Sequence, residues 1–187
     1  MALTITRLGT NAITSVSSTA ISGTLPAANI NDTSISNITA LPAGVGGKVL
    51  QVLSTTSTSG YVTTSTSFQL ATDFAVTITP SSVSNKVYIS YSIWGLVGGT
   101  NQHIGYSLRR TVGGVDTTLT STTYGFNTLY STNGNLSQGA CVCTFLDSPN
   151  TTSAVTYTPL FVSPDGTSVT FGQVQRLSST VAMEIAG

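Results

Sequence analysis

The chain has 187 residues, zero formal net charge and only 6% Asp, Glu, Lys and Arg, against about 25% in an average soluble domain. Its six cations are scattered, which excludes the clustered phosphate contacts of nucleic-acid binding, and no run reaches the roughly eighteen apolar residues of a membrane helix. A hydrophobic fraction of 40% argues against disorder, which combines low hydrophobicity with high net charge.

Ser and Thr supply about a third of the chain. Thr packs well on a pleated sheet, while Ser, Asn and Gly serve turns. The first residues, from Met1 to Arg7, lack the basic-then-apolar order of a secretory leader. Synthesis and assembly in a cytoplasm are therefore expected, and the sequons starting at Asn31, Asn37, Asn135 and Asn150 stay unmodified.

Residues 1–45 show no strong period. Ile13, Ile21, Leu25, Ile30, Ile35 and Ile38 recur among Ser, Thr and Asn, punctuated by Pro26 and Pro42. Such a segment cannot bury these side chains by itself. It is read as an extended anchoring arm whose apolar residues find partners on neighbouring chains. Gly44-Val-Gly-Gly47 reads as a hinge into the domain of residues 46–187.

Short strand signals then follow one another, bounded by turns. They predict strands near 48–55, 61–69, 73–79, 86–97, 102–112, 115–122, 137–147, 153–163, 167–173 and 179–186. Val87, Ile89, Tyr91 and Ile93 alternate with Tyr88, Ser90, Ser92 and Trp94. Ile104, Tyr106 and Leu108 repeat this inside/outside period, as do Val181, Met183 and Ile185. Gly113-Gly114 supplies a turn, and Asn133-Gly134 and Asp165-Gly166 are hairpin signals. The expected fold is all-β, an antiparallel sandwich of jelly-roll type.

Tyr88 and Trp94, with Val155, Tyr157 and Phe161, fall opposite the expected core faces of their strands. Apolar patches of that kind mark interfaces, so Tyr88, Trp94, Tyr157 and Phe161 are the candidate oligomer contacts. Cys141 and Cys143 share one strand face and are expected to be buried free thiols. His103 has no nucleophile or orienting carboxylate beside it in sequence, and no acidic pair is evident. Asp147 is expected to bind backbone amides of its Leu-Asp-Ser-Pro turn. The stretches 98–103 and 124–137 combine aromatic, amide and hydroxyl groups. His103, Tyr124, Phe126, Asn127, Tyr130 and Asn133 are accordingly the candidate ligand or receptor residues.

Two stretches carry a resemblance. The run Phe145-Leu-Asp-Ser-Pro-Asn-Thr-Thr-Ser-Ala-Val-Thr-Tyr157 and the ending from Ser178 to Gly187 resemble the C-terminal β-sandwich of tailed-bacteriophage virion proteins, usually the distal module of tail fibres. Gly46-Gly-Lys-Val-Leu-Gln-Val52 is similar to its first strand, and Ile78 to Val87 to the turn into its long central strand. The resemblance covers roughly residues 45–187 and implies a homotrimer on a virion. Read as complete from Met1, the chain has no heptads or shaft repeat to give a fibre its reach. The expected function is a non-enzymatic capsid-decorating (cement) protein that stabilises the head. The alternative is a short trimeric tail fibre attaching to the host surface, with a surface glycan as its receptor. Expected partners are further copies of the chain and a capsid or tail protein, with no cofactor, metal, nucleic acid or membrane insertion.

Overall fold

A computed structural model describes residues 48–120, 123–132, 134 and 136–187. The arm, its six anchoring residues Ile13, Ile21, Leu25, Ile30, Ile35 and Ile38, and the glycine hinge lie outside the described residues. Among the described residues, the strands run in chain order as β1 (Val49–Ser57), β2 (Gly60–Thr63), β3 (Gln69–Leu70), β4 (Val76–Ile78), β5 (Lys86–Gly98) and β6 (Gln102–Val112). They continue as β7 (Val115–Thr118), β8 (Asn127–Ser131), β9 (Leu136–Asp147), β10 (Val155–Val162), β11 (Val169–Gly172) and β12 (Ser178–Ile185).

Every ladder is antiparallel, and four pairs of short strands are interrupted long ones. In sheet A, β1 and β2 line up along β12 and β11, which share one edge of β5. The other edge of β5 is covered by β9 along its length. In sheet B, β3 and β4 line one edge of β10, β6 lines the other, and β7 and β8 share the far edge of β6. Counting interrupted strands once leaves two four-stranded sheets, ordered first–eighth–third–sixth and second–seventh–fourth–fifth. That is the connectivity of a jelly roll.

The predicted period holds best in β5 and β6, where Val87, Ile89, Tyr91, Ile93, Ile104, Tyr106 and Leu108 all face the core. Two strands reverse the expectation. In β10, Val155, Tyr157 and Phe161 point inward, with Tyr157 0% and Phe161 2% exposed. Phe161 stacks on Phe171 with centroids 5.1 Å apart, inside a cluster that includes Tyr61, Phe74 and Tyr91. Tyr157 and Phe161 are therefore core residues, not oligomer contacts. In β12 the inward residues are Thr180, Ala182 and Glu184, so Val181, Met183 and Ile185 form the outer face. In β10 both sides carry apolar residues and period alone cannot choose between them; in β12 period favours Val181, Met183 and Ile185, but the hydrogen bonds gathered on Glu184 hold the other face inward.

Polar groups bolt the sheets together. The Asp147 carboxylate accepts from Arg110 (2.9 and 3.0 Å) and from the Tyr157 hydroxyl (2.7 Å), joining β9 of sheet A to β6 and β10 of sheet B. It does this in place of the expected turn amides. The Tyr91 hydroxyl donates to the Ser107 carbonyl at 2.9 Å, a second tie across the layers. Glu184 is 1% exposed and accepts from Gln51, the Ser81 backbone and hydroxyl, and Asn85, at 2.6–2.8 Å. Burial alone would raise its pKa, but the hydrogen bonds from Asn85, Gln51 and Ser81 outweigh it and bring the pKa down to about 2. Cys141 and Cys143 are buried and unbonded to each other, and burial pushes both thiols up to about 12.

Turn chemistry misled in two places. Gly113-Gly114, both at positive φ, makes the β6–β7 hairpin. By contrast, the segment holding Gly134 joins β8 of sheet B to β9 of sheet A, and Asp165-Gly166 joins β10 of sheet B to β11 of sheet A. Both are crossovers, since the strands they join bury their faces in different layers. Of the other predicted strands, 61–69 breaks after Thr63, 73–79 opens as a 3-10 turn at Thr72–Phe74, and 115–122 stops at Thr118. Strand β8 lies inside the stretch read as a loop.

Four crossovers, those after Thr63, Gly98, Ser131 and Val162, share one end of the sandwich. The Ser163 N–H donates to the Ser65 carbonyl there, at 3.0 Å. Lys48 lies at the opposite end, where its carbonyl accepts from Ala186 at 2.7 Å beside the Glu184 cluster.

Candidate functional site

At the crossover end, β6 and β8 pair with His103 opposite Tyr130. Directly opposed residues share a face of the sheet. The imidazole therefore stacks on the phenol ring, with centroids 4.3 Å apart and planes at 22°. The Tyr124 ring also leans against the imidazole, with centroids 5.2 Å apart and planes at 53°. The turn after β10 brings in Asp165, whose Oδ2 lies 2.7 Å from His103 Nδ1 and accepts the His103 backbone N–H at 2.8 Å. The Tyr130 hydroxyl donates to the Asn101 side chain at 2.6 Å. Tyr124 and Tyr130 are both exposed.

Glycines make the assembly possible. Leu119 and residues 124–126 bond to the edge of β6 between β7 and β8, with Leu119 donating to the Leu108 carbonyl, Tyr106 to the Tyr124 carbonyl and Phe126 to the Tyr106 carbonyl. Gly125 sits at φ 76°, and a Cβ there would strike the Tyr106 carbonyl. At Gly105, two residues from His103 on the same face, a Cβ would come within 2.8 Å of the Tyr124 carbonyl and 2.9 Å of Val162.

Beside the rings lies an open groove of about 460 Å³, lined by Thr66, Ser67, Thr118, Thr120 and Thr123 with Phe68 and Val162. Val162 pairs with Gly105, so groove and ring cluster adjoin on the outer face of sheet B. Strand spacing puts the His103 and Gly105 positions about 7 Å apart.

Of the ligand residues expected from sequence, His103, Tyr124 and Tyr130 come together. Phe126 does not join them; it packs inward against Phe145 at 5.4 Å and against the core. Asn127 lies three residues before Tyr130 on β8, its side-chain oxygen taken by the Thr128 N–H at 2.8 Å. Asn133 lies outside the described residues. Asp165 was legible only as a turn residue, because its partner is 62 positions away. The carboxylate that orients a histidine is thus present, yet among the described residues no hydroxyl or thiol hydrogen-bonds to the imidazole. Nor does any cluster of three His, Cys, Asp or Glu able to hold a metal occur among them.

A second region is the outer face of sheet A. Register places Leu146, Tyr88, Met183 and Val52 in one row across β9, β5, β12 and β1. Leu146 is 52% and Val52 55% exposed, while Tyr88 is half-buried. Further along the face, Trp94 is half-buried under the Arg176 guanidinium, 5.1 Å from its ring, with exposed Leu177 beside Arg176 in the chain. Tyr88 and Trp94 thus stand where the sequence placed them.

No family model matches the chain, and no curated protein matches it. Among solved structures, that of infectious bursal disease virus Gx strain is similar, with a TM-score of 0.31 and 11% identity. The likeness covers 73% of this chain and 38% of that one, well under half its length. A TM-score of this size carries no functional argument. The resemblance to tailed-phage virion proteins rests on its sequence motifs.

Proposed function

We propose that the protein is a non-enzymatic structural protein of a virus-particle surface, a trimeric capsid-decorating protein of a tailed phage that associates through the outer face of sheet A. The observation that carries this reading is the apolar row Leu146–Tyr88–Met183–Val52 on an outer face with few charges. Monomers seldom leave such a surface in water. The sequence resemblance supplies the virion and the threefold state, and residues 1–45 serve as the arm that holds the particle. The test is the mass of the purified full chain by light scattering, with its copy number per particle. A trimer present in hundreds of copies supports decoration of the capsid; a monomer at micromolar concentration overturns the interface.

One observation favours the alternative, a short tail fibre that attaches to the host. The exposed Tyr124–His103–Tyr130 cluster lies at the end of the sandwich opposite Lys48, the first described residue. A protein tethered through its arm would display that end. Copy numbers of tens or fewer, with loss of adsorption when Tyr124 and Tyr130 are changed to Ala, select the fibre.

A further inference from the structure

The geometry points to a binding site for a neutral saccharide in the groove of Thr66, Ser67, Thr118, Thr120 and Thr123, which adjoins the His103, Tyr124, Tyr130 and Asp165 cluster on the outer face of sheet B. This inference rests on the sandwich alone and holds whether the protein sits on capsid or tail.

Three features converge. First, the groove lining has five hydroxyl side chains, two apolar ones and no charge. Ser and Thr hydroxyls donate and accept, as sugar hydroxyls do, while Phe68 and Val162 offer an apolar floor for sugar C–H groups. Its volume of about 460 Å³ lies within the range of small-molecule sites. Second, two exposed tyrosines share the outer face of sheet B with the groove, Tyr124 next to the groove's Thr123 in the chain, and are held before any ligand arrives. Tyr130 is fixed by the His103 stack and the Asn101 hydrogen bond, and Tyr124 by the backbone bond from Tyr106. A ring already ordered loses little entropy on binding. Third, the carboxylate at this end is Asp165, held by His103. Its charge opposes sulfated or sialylated sugars and accepts hydrogen bonds from uncharged ones. The site lies on the outer face of sheet B, turned away from the apolar face of sheet A, so association through sheet A leaves it open.

Saturation-transfer NMR on the purified full chain tests this, with maltotetraose, cellotetraose, galactobiose and chitotriose as neutral probes and 3′-sialyllactose as the anionic one. Transfer to at least one neutral probe is expected, and none to sialyllactose. Tyr130→Ala should weaken the binding about thirtyfold, the equivalent of ~2 kcal/mol for an aromatic anchor. Thr120→Val, which keeps the shape and removes a hydroxyl from the groove, should weaken it about tenfold. Lys86→Ala, exposed at the opposite end of the sandwich, should leave it unchanged. Far-ultraviolet circular dichroism confirms that each variant folds. The inference is overturned if no neutral probe receives transfer, if sialyllactose binds as well as the neutral sugars, or if folded Tyr130→Ala and Thr120→Val bind like the wild type.

Discussion

The two outer faces of this sandwich are built from the same kinds of residues and have opposite characters. On sheet B several hydroxyls and charges pair with one another: Thr77 pairs with Thr156 at 2.8 Å, Ser107 with Thr120 at 2.7 Å, and Asp116 accepts from both Arg109 and Thr111. Leu160 and Val162 also face this side but are buried, Val162 beneath the groove. On sheet A the outward side chains of β1, β9 and β12 include Val52, Val142, Leu146, Val181 and Met183, and no loop closes over Val52, Val142 or Leu146. Paired polar groups can stay in water, whereas an apolar face gains by being covered. Under the proposed function, association belongs to sheet A and the groove of sheet B stays open.

The largest expected effect tests whether β10 was assigned to the right side. Phe161→Ala removes a core ring and should cost 3–5 kcal/mol, roughly, seen as a lowered urea midpoint with unchanged oligomeric state at low denaturant. A variant of normal stability that dissociates would return Phe161 to the interface and undo the comparison.

Next in size is the acid limit of the fold beneath sheet A. The Glu184 pKa is depressed in the folded state, so its stabilisation is fully present above the ordinary carboxylate range. It is lost as pH falls from about 4.5 to about 2. The shift corresponds to roughly 3 kcal/mol. Thermal unfolding followed between pH 7 and 2 should show this fall, and Glu184→Gln should flatten it. A wild-type melting temperature that is constant across that window contradicts the assigned hydrogen bonds.

Third, Leu146→Asp places a charge at the β9 end of the apolar row. It should weaken association about thirtyfold, an interface anchor's ~2 kcal/mol, while leaving the unfolding of the isolated domain almost unchanged. Thr156→Asp on sheet B is the matched control and should associate as the wild type does. Sedimentation velocity reads both, and equal behaviour of the two variants would remove the distinction between the faces.

Smallest of all is Asp116→Ala, which breaks an ion pair with Arg109 on the exposed hairpin. A loss of under about 1 kcal/mol is expected, with trimer and saccharide binding intact. A larger loss would show that sheet B depends on this pair more than its exposure implies.

Much of the architecture was legible in the chain. Alternation located β5, β6, β9 and β12 to within a residue or so, because a strand with one packed face must repeat every second residue. The density of strands and turns specified a jelly-roll sandwich, and Tyr88 and Trp94 were legible as outward. His103, Tyr124 and Tyr130 were legible as chemical types, though not as one cluster. Tertiary structure alone decided which way β10 and β12 face, since β10 carries apolar residues on either side and the partners that bury Glu184 of β12 are distant in sequence. It alone turned two hairpin signals into crossovers. It also brought Asp165 to His103 and Asp147 to Arg110 and Tyr157, pairings whose members lie 10 to 62 positions apart. Local sequence sets the period of a strand through backbone geometry. Which face is buried, and which carboxylate meets which base, depends on packing two sheets at once.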